Sequence, residues 1–507
     1  MSDLMTIYVP LESTARSLGA DDVVLAIAEQ AARCGQDVEI IRNGSWGMSW
    51  LEPLVEVVTD RGRMAYGNMT ADDVPGLFDG GCEAMCLGLT AEIPYLGNQD
   101  RLTFGRCGLT DSLSLDDYQT HGGFRGLEKA LGMTAGQIVA QVTASGLRGR
   151  GGAAFPTGVK WNTVLSADSA RKYICCNADE GDSGSFADRL LMESDPFCLI
   201  EGMIIAALAV GADKGFIYLR SEYPLCKEIL SEALITARAA GWLGENIKAS
   251  GRDFDIEIRM GAGSYVCGEE TAMLESLEGR RGMVRAKPPL PALEGLFGQP
   301  TVVNNVLSLA TIPVILDRGA EFYRNYGQGN SRGTTAFQLA GNIARSGLVE
   351  KAFGISLREL VMEYGAGTAT GRPLKAVQVG GPLGAYLYEG DLDLPMDYEA
   401  FADAGAVLGH GGIVVFDDSV DMVAQAKFAF DFCALESCGK CTPCRIGSVR
   451  GAELVAKIQA GEDMADNFSM IRELCDVMEA GSLCAMGGMT PIPVLSALKD
   501  FDRESGQ

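Results

Sequence analysis

Three cysteines, in Cys438-Gly-Lys-Cys441-Thr-Pro-Cys444-Arg445, constrain this chain more than any other stretch. Thiolates at that spacing can curl around one face of a cuboidal iron–sulfur cluster. Gly439 and Pro443 allow the tight curl, and Lys440 and Arg445 can offset the negative charge of the ligated cluster. A fourth ligand must come from afar, and the candidates are Cys484, Cys475 and Cys433. Zinc ribbons use two separated Cys-x-x-Cys pairs, so the pattern favours a [4Fe–4S] centre over zinc or plain buried thiols. Cys475 sits at helical spacing between Leu474 and Met478 and reads as core, which leaves Cys484 mildly favoured on spacing alone.

Composition narrows the setting. The 507 residues carry 67 acidic and 42 basic side chains, a formal charge of −25. That acidity argues against nucleic-acid and anionic-membrane partners, because phosphate binding needs clustered Lys and Arg. Only two histidines occur, His121 and His410, which nearly excludes a multi-His metal site and disfavours a His-based triad. The 15 cysteines are odd in number and scattered, as expected of a reducing cytoplasm, where they serve metal or redox chemistry. The start, MSDLMTIYVP, has no signal-peptide pattern. The longest apolar stretch, 197–210, is interrupted by Glu201 and is too short to span a bilayer, so no direct membrane insertion is expected.

Periodicity and turn signals divide the chain into four regions of an α/β multidomain protein. In residues 1–95, strands at 6–10, 38–41, 55–59 and 63–66, a helix at 21–33 and a closing helix at 71–78 suggest a thioredoxin-type sandwich. Residues 80–107 read as a linker. From about 108 to 335, strands at 173–176, 216–219 and 255–259 alternate with helices, the pattern of a largely parallel sheet. Residues 336–420 read as a small α+β module, with a helix at 357–363 and strands at 376–379 and 413–416. Residues 421–500 are helical.

Gly149-Arg150-Gly151-Gly152-Ala153-Ala154 fits G-x-G-x-x-A, but the dinucleotide fingerprint requires a preceding strand. Here a helix capped by Thr134 ends at Gly146 instead, so a standard Rossmann reading fails. A backbone cradle for a flavin or nucleotide is still available, because successive glycine N–H groups form an anion nest. Phe155 offers a stacking surface, and Lys160 can reach a phosphate or the charge of a reduced flavin. Three further stretches can converge on this loop: 176–181 directly after a strand, 261–271 entering a helix, and the paired amides Asn304 and Asn305. Their Asp, Glu and Asn side chains suit hydroxyl and amide donors, so Asp179, Glu180, Glu269 and Glu270 are expected to meet those rather than phosphates.

Together, GLRGRGGAAFPTGVKW (146–161), NADEG (177–181), GSYVCGEET (263–271), TVVNN (301–305) and ESCGKCTPCR (436–445) resemble the NADH-binding flavoprotein subunit of respiratory complex I. The same module occurs in NAD-reducing hydrogenases and in soluble NAD-dependent formate dehydrogenases. The resemblance covers about 105–500. It implies a Rossmann-like FMN- and NAD(H)-binding domain at 105–335, a ubiquitin-like module at 336–420 and a helical bundle at 421–500 holding one [4Fe–4S] cluster. By the same resemblance FMN lies on Gly149, Arg150, Gly151, Gly152, Lys160, Asn177, Asp179, Glu180, Tyr265, Gly268, Glu269, Asn304 and Asn305. NAD(H) stacks on the flavin with Phe155, Glu270 and Lys287 nearby, and Cys438, Cys441, Cys444 and Cys484 hold the cluster. Asp182 stands where many members have Glu, and Thr163 and Leu290 where some have adenine-stacking aromatics, so dinucleotide affinity is expected to differ.

The first region resembles the thioredoxin-like [2Fe–2S] domain of complex I's smaller flavoprotein-associated subunit. Its first cysteine pair is absent near residues 11–15, and Trp46-Gly-Met-Ser-Trp50 stands where the second would be. Cys82 and Cys86 lie beyond the usual site, so the expectation is a docking scaffold without a cluster. Electron counting gives the module its logic: NAD(H) moves two electrons as hydride, a cluster accepts one, and a flavin bridges them. No side chain need act as a general acid or base. The domain order makes the expected system a molybdenum-containing NAD-dependent formate dehydrogenase, with this chain as its beta subunit. Its partners would be a small [2Fe–2S] thioredoxin-like gamma subunit and a large molybdenum-cofactor and iron–sulfur alpha subunit. The alternatives are the diaphorase subunit of an NAD-reducing hydrogenase and the NADH-binding subunit of complex I. A non-catalytic assembly or NAD-sensing subunit is disfavoured by the full set of motifs.

Overall fold

A computed structural model describes residues 4–499; residues 1–3 and 500–507, which include the outer ends of the first and fourth expected regions, lie outside the described residues. The first sheet runs in the order Val38–Ile41, Met5–Tyr8, Val55–Thr59, Gly62–Tyr66, Cys86–Leu89. Its first pair is parallel and the others antiparallel. A parallel pair needs a crossover, and the helix Ala20–Cys34 supplies it. Ala20, Val23, Ile27 and Ala31 are buried at helical spacing, and the first three join Ile7, Val55 and Val57 in one core.

Two expectations need correction here. The closing helix at 71–78 is broken into a turn at Ala71–Asp73 and a helix at Pro75–Asp79. Pro75 has no N–H with which to continue the first turn and takes the first position of the second. The stretch 80–107 is not a free linker. Cys86–Leu89 extends the sheet, Tyr95 and Leu96 join the core of the third region, and Phe104 and Cys107 join that of the second. Its apolar side chains are spent tying three regions together.

The second region holds a four-stranded parallel sheet, ordered Asp255–Met260, Lys214–Leu219, Tyr173–Ala178, Thr301–Asn305. The helix Pro196–Val210 is buried on every face, which explains its unbroken apolar character. Its one acid, Glu201, is satisfied inside the core by the Tyr118 hydroxyl and the N–H groups of Phe124 and Leu127. The third region is a mixed five-stranded sheet ordered Gly347–Ala352, Thr334–Gly341, Gly412–Asp417, Leu374–Val379, Tyr386–Leu387. The helix expected at 357–363 is a single widened turn, Glu359–Tyr364, of π geometry. The helices Met422–Glu436, Thr442–Gln459 and Met464–Gly481 then pack around Phe430, Val455, Ile471 and Met478. No helix among the described residues is long and apolar enough to cross a membrane.

Candidate functional site

Because the four central strands are parallel, Ala178, Leu219, Met260 and Asn305 end along one edge of the sheet. Open α/β sheets take ligands beyond that edge. The four sequence motifs meet there. Asn177 donates its amide to the Gly268 carbonyl (2.7 Å), and Lys160 donates to the Val303 carbonyl (2.7 Å). Trp161 donates its indole N–H to Asn304 Oδ1 (2.9 Å). The glycine-rich loop reaches the same edge: the Arg150 N–H donates to Ser308 Oγ (2.8 Å), and a Cβ on Gly151 would lie 2.9 Å from the Asn305 Cβ. Gly152 has φ +99°, a conformation that favours glycine, and faces Gly409.

Several expected contact residues have their side chains committed to the protein. Glu180 accepts the N–H groups of Asp188 and Arg189 (3.0 Å each) and the Tyr223 hydroxyl (3.0 Å). Glu269 accepts the N–H groups of Thr271 and Ala272 (2.9 Å each) at the start of the helix Glu270–Leu277. Helix starts leave N–H groups unpaired, and these carboxylates answer that need, which fixes their position at the site. Arg150 also departs from expectation. Its side chain is 3% exposed and donates to the carbonyls of Arg148, Arg332 and Thr334 and to the Tyr323 hydroxyl. It anchors the loop to the third region, and its guanidinium lies 4.7 Å above the Phe353 ring. Asn305 caps the helix Val306–Ala310 through Oδ1 and donates Nδ2 to Asp188 (2.6 Å).

Asp179 and Phe155 are left free to meet a ligand. Asp179 Oδ2 is buried without a hydrogen-bond partner. Burial pushes its carboxyl up to about 7, against the pull of Arg220. An orphaned acceptor beside a glycine cradle suits the amide and hydroxyl donors of a flavin. Phe155 is 48% exposed. Lys287 bridges Glu270 (2.7 Å) and Glu269 (2.9 Å), and Lys160 lies 3.7 Å from Glu270. Burial raises the Glu270 carboxyl, but the two lysines outweigh it and hold it below the usual range. Burial lowers the Lys160 ammonium. The Tyr265 hydroxyl donates to Asp182 (2.7 Å). Thr163 bonds back to its own helix at Val159 (3.0 Å), whereas Leu290 is exposed.

A second site lies behind the 263–271 segment. Cys438, Cys441, Cys444 and Cys484 line one cavity together with Val266, Val284, Lys440, Leu483 and Met486. The helix Thr442–Gln459 places Cys444, its cap places Cys441, and Cys484 caps the short helix Ala485–Gly488. Cys475 is buried between helices and Cys433 behind Cys444, and neither lines the cavity. Burial pushes the Cys484 thiol up to about 11, and the Cys433 thiol and burial raise that of Cys444. Metal ligation takes cysteine as thiolate, and the iron of an iron–sulfur cluster supplies the positive charge that favours that form. The donor set fits that group.

Sequence reasoning passed over Asp188, Arg220 and His410. His410 had one available signal: it is the only buried histidine of two, in Gly-His-Gly-Gly before an apolar run.

Residues 142–314 match the Nuo51 FMN-binding domain, and residues 424–507 match the NADH-ubiquinone oxidoreductase-F iron–sulfur binding region. The chain is 46% identical over 406 residues to the NADP-reducing hydrogenase subunit HndC of Solidesulfovibrio fructosivorans, covering 80% of this chain and 83% of the relative. It is 45% identical over 395 residues to an NADH-quinone oxidoreductase subunit of Rhizobium meliloti, covering 78% and 94%. Among solved structures it is similar to a chain of an NAD⁺-reducing [NiFe]-hydrogenase in the H₂-reduced state. There the TM-score is 0.70 at 29% identity, over 99% of this chain and 84% of that one. An FMN cradle, a four-cysteine cavity and these relatives converge on one conclusion: the chain belongs to the family of NADH-binding flavoprotein subunits that carry FMN and a [4Fe–4S] cluster.

Proposed function

We propose that this chain exchanges electrons between NAD(H) and an iron–sulfur relay through the residues assembled above. A bound FMN would supply the link between the two-electron chemistry of NAD(H) and the one-electron chemistry of a [4Fe–4S] cluster. The chain's own residues bind and orient. The Gly149–Gly152 backbone and Asn304–Asn305 form the flavin floor, and Asn177, Asp179 and the Gly268 backbone receive its polar edge. Phe155, Glu270 and Lys287 face the dinucleotide, with Lys160 beside them. Cys438, Cys441, Cys444 and Cys484 ligate the cluster. Arg150, Glu180 and Glu269 support the site through the contacts already described, and Glu180 and Glu269 meet any ligand from that fixed position.

One observation carries this reading: residues 265–269 touch both sites. Val266 lines the cysteine cavity, while Tyr265 and Gly268 bond to Asp182 and Asn177 beside the flavin edge. A two-electron site and a one-electron site separated by a single turn of chain suit a relay. The test is anaerobic addition of NADH to flavin-loaded protein, with near-stoichiometric bleaching of the flavin absorbance and a reduced-cluster EPR signal expected. Neither signal would leave a non-catalytic subunit as the better reading.

The relatives named above favour a hydrogenase or quinone-oxidoreductase setting over the formate dehydrogenase expected from domain order. The hydrogenase likeness extends over 99% of the chain, including the first region. The formate dehydrogenase reading, with gamma and molybdenum-containing alpha partners, rests on domain order alone. Nickel or molybdenum in the purified native complex separates the two.

A further inference from the structure

His410 stands at the junction of the second and third regions, just ahead of the strand Gly412–Asp417, and is 7% exposed. Its Nε2 lies 3.2 Å from Asp188 Oδ1 and its Nδ1 lies 3.5 Å from Glu180 Oε1. Glu180, Asp188 and His410 together have the makings of a metal site. The ring geometry argues otherwise. The two nitrogens face different carboxylates, so the imidazole lies between them and cannot offer one lone pair to an ion that both carboxylates share. Each ring nitrogen lies within ion-pair distance of a different carboxylate, and Asp188 Oδ1 has no hydrogen-bond partner to offset its charge.

The ring also sits beneath the flavin floor. Asn305 Nδ2 donates to Asp188 Oδ2 (2.6 Å) and passes 3.2 Å from His410 Nε2. Asn305 Oδ1 is held by the N–H of Leu307, so the amide cannot turn over. The Asp188 carboxylate is therefore gripped at one oxygen by Asn305 and faced at the other by His410. Gly151 rests on Asn305, and Gly152 rests on Gly409, the neighbour of His410.

We propose that His410, as a cation between Asp188 and Glu180, is a positioning residue that locks Asn305 and the 149–154 loop into the shape that retains FMN. The inference rests on the reading of that loop as the flavin floor. Glu180 and Asp188 contact the ring, and Asp182 adds to the acidic field around it. Burial opposes the charge, but these three carboxylates prevail and hold the imidazole up to about 9. Loss of the proton would leave Asp188 and Glu180 buried with no cation between them, and the grip on Asn305 would loosen.

The test is FMN dissociation from the full-length chain between pH 6 and pH 10, followed by flavin fluorescence. Wild-type affinity should hold at neutral pH and fall as pH passes about 9. His410→Gln, which keeps a donor but no charge, should bind FMN about tenfold more weakly at pH 7. It should show no inflection near pH 9. Asp188→Asn removes an anionic partner and should move the wild-type inflection to lower pH, which serves if His410→Gln fails to fold. Gly151→Asp is the control for the underlying reading and should lose FMN at every pH. If Gly151→Asp loses FMN while His410→Gln matches wild type throughout, the role of His410 is wrong. An inflection that Asp188→Asn leaves in place overturns it equally. If Gly151→Asp retains FMN, the floor itself is misassigned.

Discussion

Gly151 and Asn305 are packed so closely that a single methyl group on the glycine would come within 2.9 Å of the asparagine Cβ. Asn305 cannot retreat, because it caps one helix and bonds to Asp188. Gly151→Ala should therefore displace the loop and weaken FMN binding at least tenfold, and Gly151→Asp should abolish retention. Both should leave the cluster EPR signal intact, because the cysteine cavity shares no residue with the loop. Loss of both cofactors together would show that the effect is unfolding and not displacement.

Arg150 behaves differently. Its guanidinium is buried among carbonyls and the Tyr323 hydroxyl, so Arg150→Glu would place an unpaired negative charge where only acceptors stand. Breaking a buried charged network of this kind costs about 3–5 kcal/mol. Thermal denaturation should show a large fall in stability of the whole chain, in place of the selective FMN loss that a ligand-contacting arginine would give.

Cys484→Ser should prevent assembly of the [4Fe–4S] centre, whereas Cys475→Ala should preserve it. The first thiol lines the cavity and the second lies in the interhelical core. Iron content and EPR of the reduced protein distinguish the two variants, and a cluster surviving in Cys484→Ser would place the fourth ligand elsewhere.

Tyr265→Phe removes a hydroxyl that donates to Asp182, leaving a buried carboxylate short of a partner. A stability loss of about 1–3 kcal/mol is expected. NADH-driven flavin reduction should slow as well, because the lost hydroxyl releases Asp182 in the ligand-facing loop from its tie to Tyr265. Stopped-flow absorbance checks the rate and denaturant titration the stability.

Asp179 provides a pH signature. Its folded-state carboxyl is raised from 3.8 to about 7 by burial, so the native state holds a proton that the unfolded chain releases. Its stabilising contribution is complete below the unfolded value and is lost as pH rises through about 7. Asp179→Asn should thus match wild type in denaturation midpoint near pH 4. In the flavin-free protein it should exceed wild type by up to roughly 4 kcal/mol above pH 8.

The elements with strong local patterns were legible in advance. The helix over Ala20–Cys34 has its apolar residues at helical spacing and Gly35 at its end, and the strands 38–41 and 55–59 fall where expected. The stretch 80–107 was not legible, because its short apolar groups acquire meaning only against cores supplied by distant residues. The protein contacts of Arg150, Glu180 and Glu269 were not legible for a related reason: a polar side chain in a motif can face a ligand, a helix end or both, and spacing does not distinguish these.

Sequence alone determined the chemistry: three cysteines at fixed spacing, a glycine loop without a preceding strand, and the acidic and amide motifs that suit a flavin. Those are properties of residue type and separation along the chain, and no fold is needed to read them. The resemblance had already named Cys484 as fourth ligand, and it lines the cavity with the other three; tertiary structure decided which carboxylates accept from helix starts and that His410 lies beneath Asn305. Such assignments depend on side-chain direction and burial, which arise only once the chain has packed against itself.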